Sequence, residues 1–322
     1  MKTVAIYGAG RMGRVLFDIL NPIIDVKCFI DGALLKCGTR IGKIEIISPE
    51  QFLTQGNCAV ILSIENESVE EFFKKNKITY FYAWKENNNF LCIPEIKKRR
   101  DDYLLDRFLN YTYEKRALYI ENAHEDIPDI SDQTSKKNMQ YYDNEKLWYD
   151  EYVENRADLR LLCELIYLNH KDEIICDVGC GNGKLIEELQ KHNVKVLGVD
   201  GADNRVLRLK TAGYEVYLEN FEESFEIEQT VDVVVCMHVL EHIVRVDQLI
   251  NSIYNMLKKH GSVYIGVPNG NMISDETHVR QFTGNSLCNL MIRHGFEIEN
   301  IQRVPYLNYS FDNGLFLKAT KV

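Results

Sequence analysis

Apolar residues in the C-terminal half of the chain fall into short runs separated by stretches with helical spacing. Strand-like runs occupy residues 174–178, 194–199, 231–237 and 261–269. Between the first two runs, apolar residues return at helical spacing over residues 185–189. This alternation of strands and helices predicts an α/β domain built around a mainly parallel sheet.

The N-terminal part repeats the alternation on a smaller scale. Predicted strands occupy residues 3–7, 26–30, 59–64 and 79–83, and predicted helices occupy residues 15–20 and 69–75. The first helix is stopped by Asn21 and Pro22, and the second strand ends at Asp31. The pattern predicts a second, smaller α/β unit with a nucleotide-binding topology.

Changes in composition suggest where the units begin and end. Polar residues at 86–89 form a break, and residues 125–138 have the composition of a loop. We therefore expect a Rossmann-like unit at 1–85, a helical connector and loop at 86–140, and a third segment at 141–322. The predicted fold class is α/β, with two Rossmann-like doubly wound domains joined by the helical connector.

A glycine-rich turn follows the apolar run at 174–178. Asp177 lies at the end of this run, glycines follow at 179, 181 and 183, and Asp200 ends the next run. Glycines let the backbone pass close to a ligand, and two carboxylates suit an amino group and a ribose. A pyrophosphate would instead favour bare N–H groups and cations at the helix start. The pattern therefore favours a cationic, ribose-bearing amino-acid cofactor, a description that S-adenosylmethionine fits.

Four segments in order, 177–183, 198–200, 231–242 and 261–269, resemble the motifs of class I S-adenosylmethionine-dependent methyltransferases. The resemblance is to the group that acts on small molecules, and it covers roughly half of the chain. It implies a seven-stranded mixed sheet in the C-terminal domain. Two further predicted strands, residues 296–304 and 314–322, would form the closing antiparallel pair of such a sheet.

The resemblance also implies which residues bind the cofactor. Asp177 would lie near its amino group, and Asp200 would accept hydrogen bonds from both ribose hydroxyls. Asn220 and Phe221 would flank the adenine. The full expected set is Asp177, Gly179, Cys180, Gly181, Asp200, Gly201, Asn220, Phe221, Met237 and His238. For Met237, packing in the core is an equally good interpretation.

Methyl transfer from a sulfonium is an in-line displacement, so alignment supplies much of the acceleration and a catalytic base is optional. If the acceptor must lose a proton, His278 and His238 are the candidate catalytic residues, because both follow strands at the ligand-binding edge. A role in fixing its loop is the alternative for His278. His242 repeats with His238 the i, i+4 spacing of a metal pair, but Glu241 falls on another helix face, so we expect no metal.

The N-terminal unit carries a complete G-x-G-x-x-G turn between its first strand and helix. The candidate second nucleotide site comprises Gly8, Gly10, Arg11, Met12, Gly13 and Asp31. Segments 7–10, 29–32 and 42–50 resemble the small nucleotide-sugar-binding domain of bacterial sugar-modifying enzymes, such as acetyltransferases of glycan assembly. This resemblance implies that the turn faces a nucleotide diphosphate. A unit that binds nothing and serves only for assembly is the alternative.

Composition narrows the class of partner. The 322 residues are 45% hydrophobic and 27% charged, which is typical of globular proteins. A formal net charge of −10 argues against a nucleic-acid partner. No stretch approaches a membrane span and the first residues run straight into a strand, so we expect a cytoplasmic protein. The nine cysteines are expected to be reduced core thiols. The sequence does not determine the oligomeric state, and a homo-oligomer is one possibility.

The sequence thus predicts an S-adenosylmethionine-dependent methyltransferase that acts on a hydroxyl or amine of a small polar metabolite. A nucleotide-linked sugar or a surface-glycan precursor is the favoured substrate, which would place the enzyme in carbohydrate biosynthesis. One alternative is a non-catalytic nucleotide-sensing scaffold, and a weaker one is an NAD(P)-dependent oxidoreductase. Arg156 is a candidate partner for the cofactor carboxylate, although a surface salt bridge is the preferred interpretation.

Overall fold

The computed structural model of the chain describes residues 3–21, 24–64, 66–83, 156–270, 277–305 and 314–322, with the single positions 102, 105 and 109. They belong to two compact units, residues 1–103 and 104–322. The predicted connector lies almost wholly outside the described residues. The predicted domain boundaries therefore stay predictions.

The N-terminal unit contains a six-stranded sheet with the order β3-β4-β2-β1-β5-β6. The strands are β1 (Thr3–Tyr7), β2 (Asp25–Ile30), β3 (Arg40–Ile41), β4 (Ile44–Ile47), β5 (Ala59–Leu62) and β6 (Tyr80–Tyr82). Described helices of this unit are α1 (Arg11–Leu20), α2 (Pro49–Gln55) and α3 (Glu67–Lys75). All neighbouring strands are parallel except the β3–β4 pair. This is the α/β unit that the sequence predicts, with the β3–β4 hairpin and α2 added.

The start of α2 shows why this additional helix forms. The Ser48 hydroxyl accepts a hydrogen bond from the Gln51 backbone N–H at 3.2 Å, and the Gln51 side chain accepts one from the Ser48 N–H at 2.8 Å. Pro49 occupies the first helical position, where its missing N–H costs nothing. This capping box satisfies donors that a helix start otherwise leaves unpaired, and Phe52 anchors the helix in the core.

The C-terminal unit contains a seven-stranded sheet with the order β12-β13-β11-β10-β7-β8-β9. Its strands are β7 (Ile174–Val178), β8 (Lys195–Asp200), β9 (Val216–Leu218), β10 (Val231–Met237), β11 (Leu257–Pro268), β12 (Phe296–Val304) and β13 (Gly314–Lys321). Strand β13 runs antiparallel to β11 and β12, and the other pairs are parallel. The predicted seven-stranded mixed sheet is confirmed, although β11 begins at Leu257 rather than at residue 261.

Helices cover both faces of this sheet. They are α4 (Ala157–His170), α5 (Lys184–Gln190), α6 (Asp203–Thr211), a 3-10 helix (Leu240–His242), α7 (Val246–Met256) and α8 (Gly284–Arg293). Alternate strand residues point to opposite faces, so Val233 packs in the core beneath α4, α5 and α6 while Val234 packs beneath α7 and α8. No described helix is both long enough and apolar enough to cross a membrane.

The order of the strands fixes where a ligand can bind. From β7 the chain passes to β8 and β9 on one side, and then returns to β10 and β11 on the other. In an open α/β sheet the crevice at such a reversal, beyond the carboxyl ends of the strands, is the usual ligand site. Asp177, Asp200 and Met237 lie at these ends of β7, β8 and β10.

Replacing Gly13 by alanine tests the close packing of α1 on β1. A Cβ at Gly13 would lie 1.6 Å from the carbonyl oxygen of Gly8. We expect Gly13→Ala to destabilise the N-terminal unit by about 3 kcal/mol, because backbone atoms must move apart. Gly10→Ala is the matched control, since no atom lies within 4 Å of its Cβ position. It should cost no more than about 1 kcal/mol as a change of N-cap residue.

The measurement is hydrogen exchange of the β1, β2 and β5 amides, which reports on the N-terminal unit alone. Similar protection in the two alanine variants would contradict the proposed contact.

Candidate cofactor pocket and active site

The turn after β7 requires glycine at several positions. Gly179, Gly181 and Gly183 have φ angles of 78°, 53° and 77°, in the left-handed region that other residues rarely adopt. A Cβ at Gly179 would also lie 2.1 Å from the Val239 side chain. At Gly181 the nearest atom to a Cβ would be 3.9 Å away, so this glycine leaves open space on its pocket side. The turn therefore brings bare backbone to the edge of a cavity.

The carboxylate of Asp200 holds this turn in place. Its Oδ2 accepts a hydrogen bond from the Gly181 N–H at 2.7 Å, and its Oδ1 accepts one from the Ala202 N–H at 2.9 Å. Burial raises the pKa of Asp200, and these backbone donors oppose the shift. A carboxylate offers about four acceptor positions. Backbone donors use part of this capacity, and the remainder suits the hydroxyl groups of a ribose.

Asp177 is the buried charge without a counterpart. Its side chain is only 4% exposed, and no hydrogen bond or ion pair of its carboxylate is found among the described residues. Burial, with repulsion from Asp200 added, raises the pKa of Asp177 to about 8. An ionised carboxylate in such a place is costly unless a cation pairs with it. The site therefore fits a ligand that carries an ammonium group.

The expected cofactor residues line one cavity. All ten of them, Asp177, Gly179, Cys180, Gly181, Asp200, Gly201, Asn220, Phe221, Met237 and His238, border it. Met237 also packs in the core, so bordering the cavity and filling the core are compatible for this residue. Arg156, Arg205 and His242 are further lining residues that the predicted set lacks. The structure brings the expected residues together, and their individual contacts with a cofactor stay predictions.

His238 lies between two buried carboxylates. Its φ is 59°, its Nε2 lies 3.0 Å from Asp158 Oδ2, and its Nδ1 lies 3.1 Å from Glu241 Oε1. Both ring nitrogens are therefore engaged by buried carboxylates of the protein. This geometry argues against His238 as the catalytic base and favours a role in positioning.

The salt bridge predicted for Arg156 is present, but it is buried rather than at the surface. Arg156 is 5% exposed and donates to both carboxylate oxygens of Asp158, at 2.7 and 2.5 Å. Burial alone would raise the pKa of Asp158, but Arg156 and then His238 outweigh it and lower the pKa to about 2. Arg156 thus stabilises the carboxylate that holds His238, while it also borders the cavity. Asp158 was missed because 80 residues separate it from His238.

The predicted helix face shared by His238 and His242 is wrong. His238 precedes the 3-10 helix in a left-handed conformation, whereas His242 lies at the end of that helix. Glu241, expected on another face, has its Oε1 4.0 Å from His242 Nε2. The ring of His278 lies with its centroid 4.8 Å from that of His242. His278 therefore sits beside a residue that lines the cavity.

In the N-terminal unit the predicted glycine turn is formed. Gly8 has a φ of 97°, and Gly10 is the N-cap of α1 without a side-chain cap. The Asp31 carboxylate accepts hydrogen bonds from the Ala9 N–H at 2.8 Å and from the Lys36 ammonium at 2.9 Å. Asp31 therefore fastens the turn from the adjacent strand, a second role that the sequence prediction lacked. Arg11 and Met12 open α1 next to it.

Similarity to known proteins covers the part of the chain that forms the cavity. Residues 149–301 match a family described as a methyltransferase domain. The C-terminal unit is therefore an S-adenosylmethionine-dependent methyltransferase domain of the class I fold, as the order of its motifs predicted. Its cofactor is S-adenosylmethionine, which the unpaired Asp177 and the glycine turn fit. The matched residues do not include the N-terminal unit.

Three similar proteins illustrate the relationship. A ubiquinone biosynthesis O-methyltransferase of Rickettsia conorii is 24% identical over 64% of this chain and 70% of its own length. One from Shewanella halifaxensis is 32% identical over 33% of this chain and 51% of its own length. A solved structure, the 1,6-didemethyltoxoflavin-N1-methyltransferase of Burkholderia thailandensis, is 19% identical with a TM-score of 0.47, covering 62% of this chain and 97% of that one. The chain thus spans about half of the second curated relative.

Replacing Asp177 by asparagine should change stability and cofactor binding in opposite directions. The folded pKa of Asp177 is raised to about 8 from 3.8, so the folded state holds a proton that the unfolded chain releases. Its contribution to stability is therefore greatest below pH 4 and falls by about 1.4 kcal/mol per unit as the pH rises towards 8. Asp177→Asn should remove this slope and stabilise the cofactor-free protein at pH 8.

The same variant should bind S-adenosylmethionine at least tenfold more weakly, because the ammonium loses its anionic partner. Urea unfolding at several pH values and calorimetric titration measure the two effects. Asp172→Asn, at an exposed position, is the matched control and should change neither. A less stable Asp177→Asn protein with unchanged affinity would show that the carboxylate is only structural.

Proposed function

We propose that this chain transfers the methyl group of S-adenosylmethionine to a hydroxyl or amine of a small polar metabolite. The observation that carries the proposal is the buried, unpaired Asp177 carboxylate beside a glycine turn, with Asp200 at the next strand end. One carboxylate suits the ammonium group and the other suits the ribose hydroxyls of the same molecule. The names of the curated relatives, which are O-methyltransferases, support an oxygen acceptor.

The proposed contacts follow from position in the pocket. Asp177 would bind the ammonium group, and Asp200 would accept the ribose hydroxyls. Asn220 and Phe221 border the cavity just after β9, where they would flank the adenine. Met237 ends β10 on the far side of the cavity and would close it against the sulfonium.

The reaction requires little from the protein beyond alignment. The bond from the methyl carbon to sulfur breaks as the bond from that carbon to the acceptor atom forms, and S-adenosylhomocysteine leaves with the electron pair. The acceptor's proton passes to solvent or to a side chain at the His242 end of the cavity. In this proposal His238 positions the cavity wall, because its ring is held by Asp158, which Arg156 holds in turn.

The experiment is a metabolite extract incubated with the full chain and methyl-labelled cofactor, followed by mass spectrometry. We expect one or more small metabolites to gain one labelled methyl group, with S-adenosylhomocysteine formed in equal amount. Asp200→Asn should lose most of this activity through weaker cofactor binding. Tight cofactor binding with no labelled product from any extract would instead favour a non-catalytic sensing role.

A nucleotide-linked sugar is our proposed acceptor class, and the N-terminal turn supports it. α1 is ten residues long and begins at a glycine N-cap, so its first N–H groups face the space above Gly10. No atom lies within 4 Å of the position where a Gly10 Cβ would stand. Such a helix start, with its partial positive charge, suits a diphosphate. Lys36, held by Asp31, adds a cation to the same strand end.

Calorimetric titration with uridine and adenosine diphosphates, and with their sugar conjugates, tests this acceptor class. We expect Gly10→Ala to weaken binding at least tenfold, because its methyl group occupies the space of the phosphate without disturbing the fold. Binding of S-adenosylmethionine to the same variant should not change. If no nucleotide binds the wild-type protein, the nucleotide-sugar proposal fails while the methyltransferase proposal stands.

A further inference from the structure

A glutamate and two histidines converge at the edge of the cofactor cavity. The 3-10 helix after β10 presents Glu241 and His242 in succession, and His278 approaches from the segment that follows β11. One potential ligand atom from each of the three lies within 4.8 Å of the other two. We call these residues the Glu241–His242–His278 cluster. His242 also lines the cofactor cavity, so the cluster borders it.

Within the described part of the chain, one carboxylate oxygen of Glu241 lacks a hydrogen-bond donor. Its side chain is buried, with 1% exposed, and Oε1 accepts a hydrogen bond from His238. Oε2 is buried and has no hydrogen-bond partner among the residues that the structure describes. A buried carboxylate oxygen without a donor is costly, and a bound cation would remove that cost.

His242 is oriented as a metal-binding histidine usually is. Its Nδ1 lies 3.0 Å from the Thr277 hydroxyl and 3.3 Å from the Thr277 carbonyl oxygen. In the tautomer that donates from Nδ1 to this carbonyl, the lone pair lies on Nε2. That Nε2 is the atom 4.0 Å from Glu241 Oε1. Metal-ligating histidines are commonly fixed by such a hydrogen bond from their other ring nitrogen.

The segment that carries His278 is fastened to the same helix. The Val279 N–H donates to the Glu241 carbonyl at 2.8 Å. Arg280 donates from Nε to the Ile243 carbonyl at 3.1 Å and from Nη2 to the Val244 carbonyl at 2.6 Å. His278 is therefore held next to Glu241 by hydrogen bonds of its two following residues, which do not depend on a ligand.

We propose that the Glu241–His242–His278 cluster binds one divalent first-row transition metal ion. A ligand set of two imidazoles and one carboxylate suits Zn²⁺, Mn²⁺, Fe²⁺ or Co²⁺, whereas Mg²⁺ and Ca²⁺ prefer oxygen ligands alone. Ligands on one tetrahedral ion lie about 3.4 Å apart, so small side-chain rotations bring the three atoms into range. Three protein ligands leave a coordination position for a water or a substrate oxygen.

This site gives His278 a role other than general base, because ligation uses its lone pair. Its catalytic consequence rests on the proposed methyltransferase function: an acceptor hydroxyl bound to the ion would have a lowered pKa and lose its proton to solvent. The resulting oxyanion would lie beside the cofactor cavity. Metal binding itself requires no turnover and is tested separately.

The experiment uses the full chain without an affinity tag, stripped with a chelator and titrated with Co²⁺ and Zn²⁺. Calorimetry should give one ion per chain, and bound Co²⁺ should show visible absorption bands. Glu241→Gln and His278→Ala should each weaken binding at least tenfold. His192→Ala, at an exposed position far along the sequence, is the matched control and should bind as the wild type does.

Cofactor titration of each variant shows whether it is folded, and His278→Ala keeps the test valid if Glu241→Gln fails to fold. Absence of stoichiometric binding to the wild type would overturn the proposal. So would equal affinity in the wild type, Glu241→Gln and His278→Ala, because the ion would then bind elsewhere. A protein that binds the ion yet transfers no methyl group would contradict the proposed function and leave the metal site in place.

Discussion

Two buried carboxylates at neighbouring strand ends constrain the C-terminal unit more than any other feature. Asp177 and Asp200 are 4% and 6% exposed, and repulsion between them adds to the cost of burial. Asp200 is partly compensated by backbone donors of the turn, but Asp177 is not. The fold tolerates this cost because the large apolar cores on both faces of the sheet supply stability elsewhere. The cofactor's ammonium and hydroxyl groups are what the pair lacks.

A second set of buried polar residues is compensated within the protein, and two of its members, Arg156 and His238, line the same cavity. Arg156, Asp158, His238 and Glu241 form a continuous series of side-chain contacts. Breaking one member would leave a buried charge unpaired, which is strongly destabilising. The two sets therefore differ in role: the Arg156–Glu241 series positions residues beside the cavity, whereas the Asp177 carboxyl group fits a cationic ligand. Glu241 belongs to both groups, because it contacts His238 and also lies within reach of His242 and His278.

Much of this could be predicted from the sequence, because local patterns determine it. Continuous apolar runs indicated most strands of both sheets, β3 and β4 excepted, and their ends indicated the edge at which Asp177 and Asp200 lie. Helix α2 was readable from Ser48 and Gln51 but was missed. Contacts across long separations were not readable: the bond of Asp158 to His238 spans 80 residues. His238 has a left-handed backbone conformation, so the predicted helix does not include it. The side chains of Glu241 and His242 consequently lie on the same side, which the hydrophobic periodicity does not reveal.

The central claim is that Asp177 and Asp200 bind the two ends of one sulfonium nucleoside, and a crystal structure with S-adenosylhomocysteine tests it most directly. The account predicts the amino group within hydrogen-bond distance of Asp177 and both ribose hydroxyls on Asp200. A nucleoside bound elsewhere, or either carboxylate turned away to a protein cation, would contradict it.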